Sequence, residues 1–204
     1  MNLVIGKNKF YFVLELILLP FTSSIKEYMN KINIHHYNSP FGELILGDFE
    51  GKLCLCDWFY RKRRIRIDDR IKSHLNAEYE ENKTDLLVQT ENQLEEYFKG
   101  KRKEFNLPIK LAGTDFQIKV WNALQQIPYG KTETYLGLSK LLDNEKAIRA
   151  VAGANGANAI SIIIPCHRII GSDNKPIGYA GGINIKRKLL KLEGSLPGNQ
   201  LELF

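Results

Sequence analysis

Residues 114–154 read TDFQIKVWNALQQIPYGKTETYLGLSKLLDNEKAIRAVAGA. Thr114 can cap a helix carrying Phe116, Val120, Ala123, Leu124 and Ile127, and Pro128-Tyr129-Gly130 ends it. A second helix is predicted from about Thr134 to Leu142, then a polar turn, Asp143-Asn144-Glu145, then a third helix from Lys146 to about Ala154. Helix, short turn, helix is the arrangement of DNA-binding helix-turn-helix proteins, and also of many purely structural hairpins. The third helix favours the former. Ala147, Ala150, Ala152 and Ala154 would let its backbone lie close against a groove, while Lys146 and Arg149 supply charge. An ordinary amphipathic core helix carries more Leu and Ile.

Working upstream, residues 32–57 alternate around turn signals: INIHHY, NSPFG, ELILGD, EGK, LCLCDW. These predict a small antiparallel meander. Residues 61–66, RKRRIR, are read as a solvated edge or loop facing the acidic stretch 78–81. Residues 85–99 place Leu86, Leu87, Leu94, Tyr97 and Phe98 at helical spacing and stop at Gly100. The chain therefore divides into an α+β domain over 29–107, a linker over 108–113, a helical domain over 114–194 and a tail over 195–204. Residues 1–28 are set apart as an extension or the product of a mis-assigned start. Their apolar run, FYFVLELILLPF, is interrupted by Glu15 and Pro20 and falls short of the roughly 20 residues that span a bilayer. Met29 opens a fresh domain start.

The chain of 204 residues carries a formal charge of +6. Between residues 112 and 194 there are 11 Lys/Arg against 6 Asp/Glu. A basic C-terminal half suits a polyanionic partner, or is simply a solvated surface. Three cysteines give no disulfide framework and fit a reducing, cytoplasmic setting. Cys54 and Cys56, at i and i+2 of a strand, should face the same side. With His35 or His36 they could ligate zinc, but packing is the preferred reading and no metal is assigned.

The chemistry concentrates in residues 158–168, NAISIIIPCHR. By composition, residues 161–164 are a buried strand that Pro165 ends, presenting Cys166, His167 and Arg168 at its mouth. A thiolate is a strong nucleophile and needs a nearby base or positive field to form. His167 can serve as that base, through a water because adjacent side chains diverge. Glu193, at the end of the basic helix 185–193, can accept the other imidazole proton. Taken alone, Pro-Cys-His favours inert packing over catalysis.

Pro165-Cys166-His167-Arg168, the Asn eight residues before the Cys, and Gly178-Tyr179-Ala180-Gly181-Gly182 together closely resemble the methylated-DNA–protein-cysteine S-methyltransferase family, the O6-alkylguanine-DNA alkyltransferases. The resemblance runs from about residue 32 to 194 and takes in 37–42, 53–58, 93–100, 116–121 and 127–135. It implies a small RNase H-like α/β domain followed by a winged helix-turn-helix-type DNA-binding domain that carries the reactive Cys. The implied activity is single-turnover transfer of an alkyl group from O6-methylguanine, and from O4-methylthymine, in double-stranded DNA. The chain would act as a monomer, off the membrane, with no cofactor.

By the same resemblance Cys166 is the acceptor, His167 its base through water, and Glu193 the holder of His167. Asn158 shapes the hinge. Tyr135 presses on the phosphate side of the target and donates towards guanine N3. Arg149 fills the gap left by the flipped base, and Asn144 and Ser172 touch the DNA backbone. Tyr179 walls the pocket with Ala180 and Gly181, and the Ile169 carbonyl accepts from the guanine amine. Two departures stand out. Ala180 occupies a position where some members carry Ser, so its backbone N–H would be the donor to O6. Ala159 stands where Pro is frequent. Three other readings compete: a non-catalytic sensor of alkylated DNA, a helix-turn-helix regulator, and a cysteine hydrolase. Only alkyl transfer gives Cys166, His167, Glu193 and the DNA-reading half a common purpose.

Overall fold

The computed structural model describes residues 29–196. The extension over 1–28 and most of the tail lie outside the described residues. Strands β1 (Asn30–Ser39), β2 (Gly42–Phe49) and β3 (Lys52–Trp58) form the expected meander. Its second turn is Glu50-Gly51, both at positive φ (52° and 72°), the backbone twist that a two-residue hairpin needs.

The run 61–66 departs from expectation. It opens helix α1 (Arg64–Leu75), which leads to strand β4 (Ala77–Glu81), parallel to β1, giving the sheet order β3-β2-β1-β4. Neither a side-chain cap nor an acidic first turn marks α1, and its buried stripe is only Ile67, Ile71 and Leu75. Asn76, left-handed at φ 45°, closes it. Arg61, far from being solvated, is buried. It pairs with Asp57 and donates to the carbonyls of Gly156 (2.7 Å) and Asn158 (3.0 Å). Arg64 bridges Asp57 and Asp68. Taking two acids from the same half makes burial of so much charge tolerable.

Cys54 and Cys56 also correct the sequence reading. A bulge breaks the β2–β3 register: Asp48 pairs with Leu53 and Gly47 with Leu55, so Cys54 is the unpaired residue. The extra residue flips the alternation. Cys54 joins the apolar cluster of Ile32, Ile67 and Ile71, whereas Cys56 joins that of Leu44, Leu46 and Trp121 on the other face. The two sulfurs cannot share an ion.

Helix α2 (Asp85–Phe98), capped by Thr84, packs across the meander. In the second half come α3 (Asp115–Leu124), α4 (Tyr135–Leu141), a 3-10 turn (Glu145–Ala147), α5 (Ile148–Gly156) and α6 (Ile183–Leu192). Thr114 and Gln117 form a reciprocal capping box on α3. Gly113 precedes it because a Cβ there would lie 2.4 Å from the Trp121 ring. The Trp121 indole donates to the Ala154 carbonyl (2.9 Å) and so fixes α5 on α3. Two short strands, β5 (Glu133–Thr134) and β6 (Ile169–Ile170), pair in parallel beside the helices.

The linker is not free. Residues 108–110 bond to Leu53, and residues 159–161 bond to Cys56, so two segments of the C-terminal half cover the open edge of β3. One apolar cluster runs from Leu44 and Leu46 through Val120 and Trp121 to Ile164 and Ile169. The halves are packed as one body.

Candidate active site

Residues 160–168 are not a strand but a succession of tight turns, which corrects the reading of 161–164. The Ile164 N–H donates to the Ile160 carbonyl (2.9 Å), and the Ile163 N–H to the Ser161 carbonyl (2.9 Å) across Ile162, held at φ 73°. A buried β-branched residue in that region is strained. The Cys166 N–H donates to the Ile164 carbonyl (2.8 Å) across Pro165 at φ −81°, ψ 56°, an inverse γ-turn. Cys166–Arg168 then closes as a 3-10 turn. Four consecutive apolar residues look like a buried strand, but an amide upstream organises them differently. Asn158 Oδ1 accepts from the Ile160 N–H (2.9 Å), and its Nδ2 donates to the Ile164 carbonyl (2.9 Å) and to Cys166 Sγ (3.2 Å). The expected hinge residue thus holds both the turns and the sulfur.

Cys166 is 3% exposed, in the apolar cluster against which Tyr135 and Tyr179 pack, rather than open at a strand mouth. Burial pushes its thiol above the usual value, and the Asn158 donation partly opposes this. Beside it His167 is wholly buried. Its Nε2 lies 2.8 Å from Glu193 Oε1, while Nδ1 is buried with no protein partner among the described residues. Glu193 can only accept, so the Nε2–H tautomer follows and Nδ1 carries the free lone pair. Burial lowers the His167 pKa against the opposing pull of Glu193, which keeps the ring a neutral base.

Glu193 is shared more widely than the sequence suggests. It also accepts from Arg168 Nε (2.9 Å) and Nη2 (3.1 Å), from the Tyr97 hydroxyl (2.7 Å) and from the Gly130 N–H (3.3 Å). Burial alone would raise its carboxyl, but hydrogen bonds from His167 and Arg168, with the Arg168 charge, outweigh burial and hold it at about 2. In the sequence Arg168 stands within the motif without an assigned role, and Tyr97 reads only as a helix-face residue. Their convergence on one carboxylate is a tertiary fact with no local signal.

The pocket wall is built from both halves. Tyr179 accepts from Trp58 Nε1 (3.0 Å), and Gly181 is required because a Cβ there would lie 2.7 Å from the Trp58 ring. Ala180 and Gly181 are part-exposed on the same loop. The Gly178 backbone packs against the Tyr135 hydroxyl, which burial and the nearby sulfur keep protonated. Lys186, fully buried and without a signal in the sequence, donates to the carbonyls of Ile169, Ile177 (2.5 Å) and Gly178 (3.2 Å), stapling the two ends of that loop. The lysine takes one of the two lone pairs of the Ile169 carbonyl. Arg149, Asn144 and Ser172 lie apart from the sulfur, exposed on α5, on the turn before it and on the loop after β6.

Comparison with known proteins agrees with this assembly. The family models described as "6-O-methylguanine DNA methyltransferase, ribonuclease-like domain" and "6-O-methylguanine DNA methyltransferase, DNA binding domain" match residues 32–111 and 115–195. The methylated-DNA–protein-cysteine methyltransferase of Methanosarcina acetivorans is 43% identical over 159 residues, covering 78% of this chain and 96% of the relative. The constitutive enzyme of that name from Bacillus subtilis is 39% identical over 161 residues, covering 76% and 91%. A crystal structure of Mycobacterium tuberculosis OGT in complex with DNA matches with a TM-score of 0.68 at 36% identity, covering 83% of this chain and 97% of that one. The chain belongs to the methylated-DNA–protein-cysteine methyltransferase family.

Proposed function

We propose that this protein repairs DNA by moving an alkyl group from O6 of an everted guanine to Sγ of Cys166, once per chain. The observation that carries it is the buried row Asn158–Cys166–His167–Glu193: a sulfur fixed by an amide, and a neutral imidazole with its free lone pair unclaimed by protein. An alkyl carbon within a duplex cannot be approached in line, so the nucleotide leaves the stack, with Arg149 occupying its place.

Because burial disfavours the thiolate, the proton leaves as the base binds. It passes through a bridging water to His167 Nδ1, and Glu193 stabilises the imidazolium. Sulfur then forms a bond to the alkyl carbon as the carbon–O6 bond breaks and its electron pair stays on guanine. Charge developing on the purine is met by the Tyr135 hydroxyl near N3 and the Ala180 N–H near O6. The product is a thioether. No group in the row can return the sulfur to a thiol, so turnover stops at one, and since sulfur is itself the acceptor the step needs no cofactor.

Guanine reaches Cys166 only if the loop bearing Gly178 and Tyr179 moves away from Tyr135. Asn144 and Ser172 are assigned to the DNA backbone. No helix among the described residues is long and apolar enough to cross a membrane, and the three cysteines are free. We assign the protein to the cytoplasm. Incubation with duplex DNA carrying labelled O6-methylguanine should transfer label up to one equivalent per chain and then stop, with none transferred to Cys166→Ala. Repeated turnover, or tight binding without transfer, would sink the proposal.

A further inference from the structure

Arg61 and Arg64 are matched by Asp57 and Asp68, but Arg63, Arg66 and Arg70 form no ion pair among the described residues. All three line a cleft of about 620 Å³ between α1 and α5. Arg63 and Arg66 are exposed. Arg70 lies with its guanidinium 5.2 Å from the centre of the Trp121 ring, and its Nε and Nη2 are buried with no hydrogen-bond partner. Buried donors of a cation are rarely left unmatched, because they forfeit water and gain nothing in return. The exposed guanidinium groups of Arg63 and Arg66, with that of Arg70 lining the same cleft, are the chemistry that recognises a phosphodiester.

The opposite wall is as telling. It is formed by Ala150, Ala152 and Gly153 of α5, which leave room for a polymer backbone to lie against the helix. Ala152 and Gly153 follow Arg149 by three and four residues and share its helical face. A strand tracking α5 from Arg149 therefore runs into the cleft.

We propose that this cleft holds the sugar–phosphate backbone of the duplex beside the lesion, with Arg63, Arg66 and Arg70 of the N-terminal half as its phosphate contacts. The ribonuclease-like half thus takes part in DNA binding. The assignment rests on the repair function proposed above, which places α5 on the DNA.

The test is the salt dependence of binding to an unmodified duplex, on which no transfer competes. Removing one phosphate-binding cation lowers the magnitude of the slope of log K against log salt by about 0.9. The double variant Arg63→Ala/Arg66→Ala should therefore reduce the slope by roughly 1.8. Arg70→Met, which keeps an apolar stem on Trp121, should reduce it by about 0.9. The charge-conserving pair Arg63→Lys/Arg66→Lys should keep the wild-type slope. An unchanged slope in the alanine pair, or an equal reduction in the lysine pair, overturns the proposal. So does saturable binding of inorganic phosphate or a free nucleotide that these variants abolish while the DNA slope stays intact. Label transfer to wild-type Cys166, measured separately, tells failure of the cleft from failure of the repair function.

Discussion

Replacing Glu193 by Gln removes one charge and almost no volume, and it should cost both stability and rate. The carboxylate faces His167, Arg168, Tyr97 and the Gly130 N–H at once. An amide keeps one acceptor oxygen but turns N–H donors towards a guanidinium or a hydroxyl that also donates. Arg168 is 7% exposed, so its charge is left uncompensated. Breaking one partner out of a buried pair costs about 3–5 kcal/mol. The depressed carboxyl points the same way, because its hydrogen bonds and the Arg168 charge favour the ionised form in the folded protein. Since the folded-state value is the lower one, that stability is complete above about pH 4.5 and is lost as pH falls towards 2. Denaturant unfolding at pH 7 should show E193Q weakened by at least about 3 kcal/mol, a melting point lower by roughly 10 °C, and a flatter acid dependence between pH 5 and 3. Transfer from free O6-benzylguanine should slow by about 100-fold or more, as the imidazolium loses its counter-charge. A variant within about 1 kcal/mol of wild type at pH 7, with an unaltered acid limb, would refute the role of a shared carboxylate.

Asn158→Ala deletes the donor to Cys166 and the clamp on Ile160 and Ile164; the thiol pKa, read by thiolate absorbance, should rise further and the pH–rate profile should move to higher pH. Arg149→Ala should slow repair of duplex DNA at least about tenfold more than reaction with free O6-benzylguanine, and equal losses on both would show that it does not occupy the vacated stack. Lys186→Met leaves three carbonyls without their donor, so amide exchange around residues 171–178 should accelerate and the melting point should fall; unchanged exchange there would deny it the stapling role.

Much of the site is legible in the sequence because its signals are local. Thr114, Thr134 and the Pro128-Tyr129-Gly130 stop mark helix ends by cap and turn chemistry, and the third helix announces itself by small residues. Cys166, His167 and Glu193 have chemistries with few other uses together. What stays hidden depends on partners distant in the chain. Nothing in RKRRIR says that Asp57 will take two of its arginines, so the start of α1 passes for a solvated run, although Ile67, Ile71, Leu75 and Asn76 do carry its spacing and stop. The bulge that sends Cys54 and Cys56 to opposite faces is a matter of register with β2. The turns of 160–164 arise from the side chain of Asn158, against the β propensity of Ser-Ile-Ile-Ile. Lys186 looks like one more charge of a basic helix until its neighbours are known to be carbonyls.

Arg61 has a consequence for the polarity of α5. A helix carries about half a negative charge at its carboxyl end, a pole that repels any polyanion lying along it. Here that pole is muted by a guanidinium reaching over from the other half to the Gly156 and Asn158 oxygens, itself steadied by Asp57. The carboxyl end of α5 thereby has its oxygens met by donors, and it owes that to a residue outside the helix-turn-helix altogether.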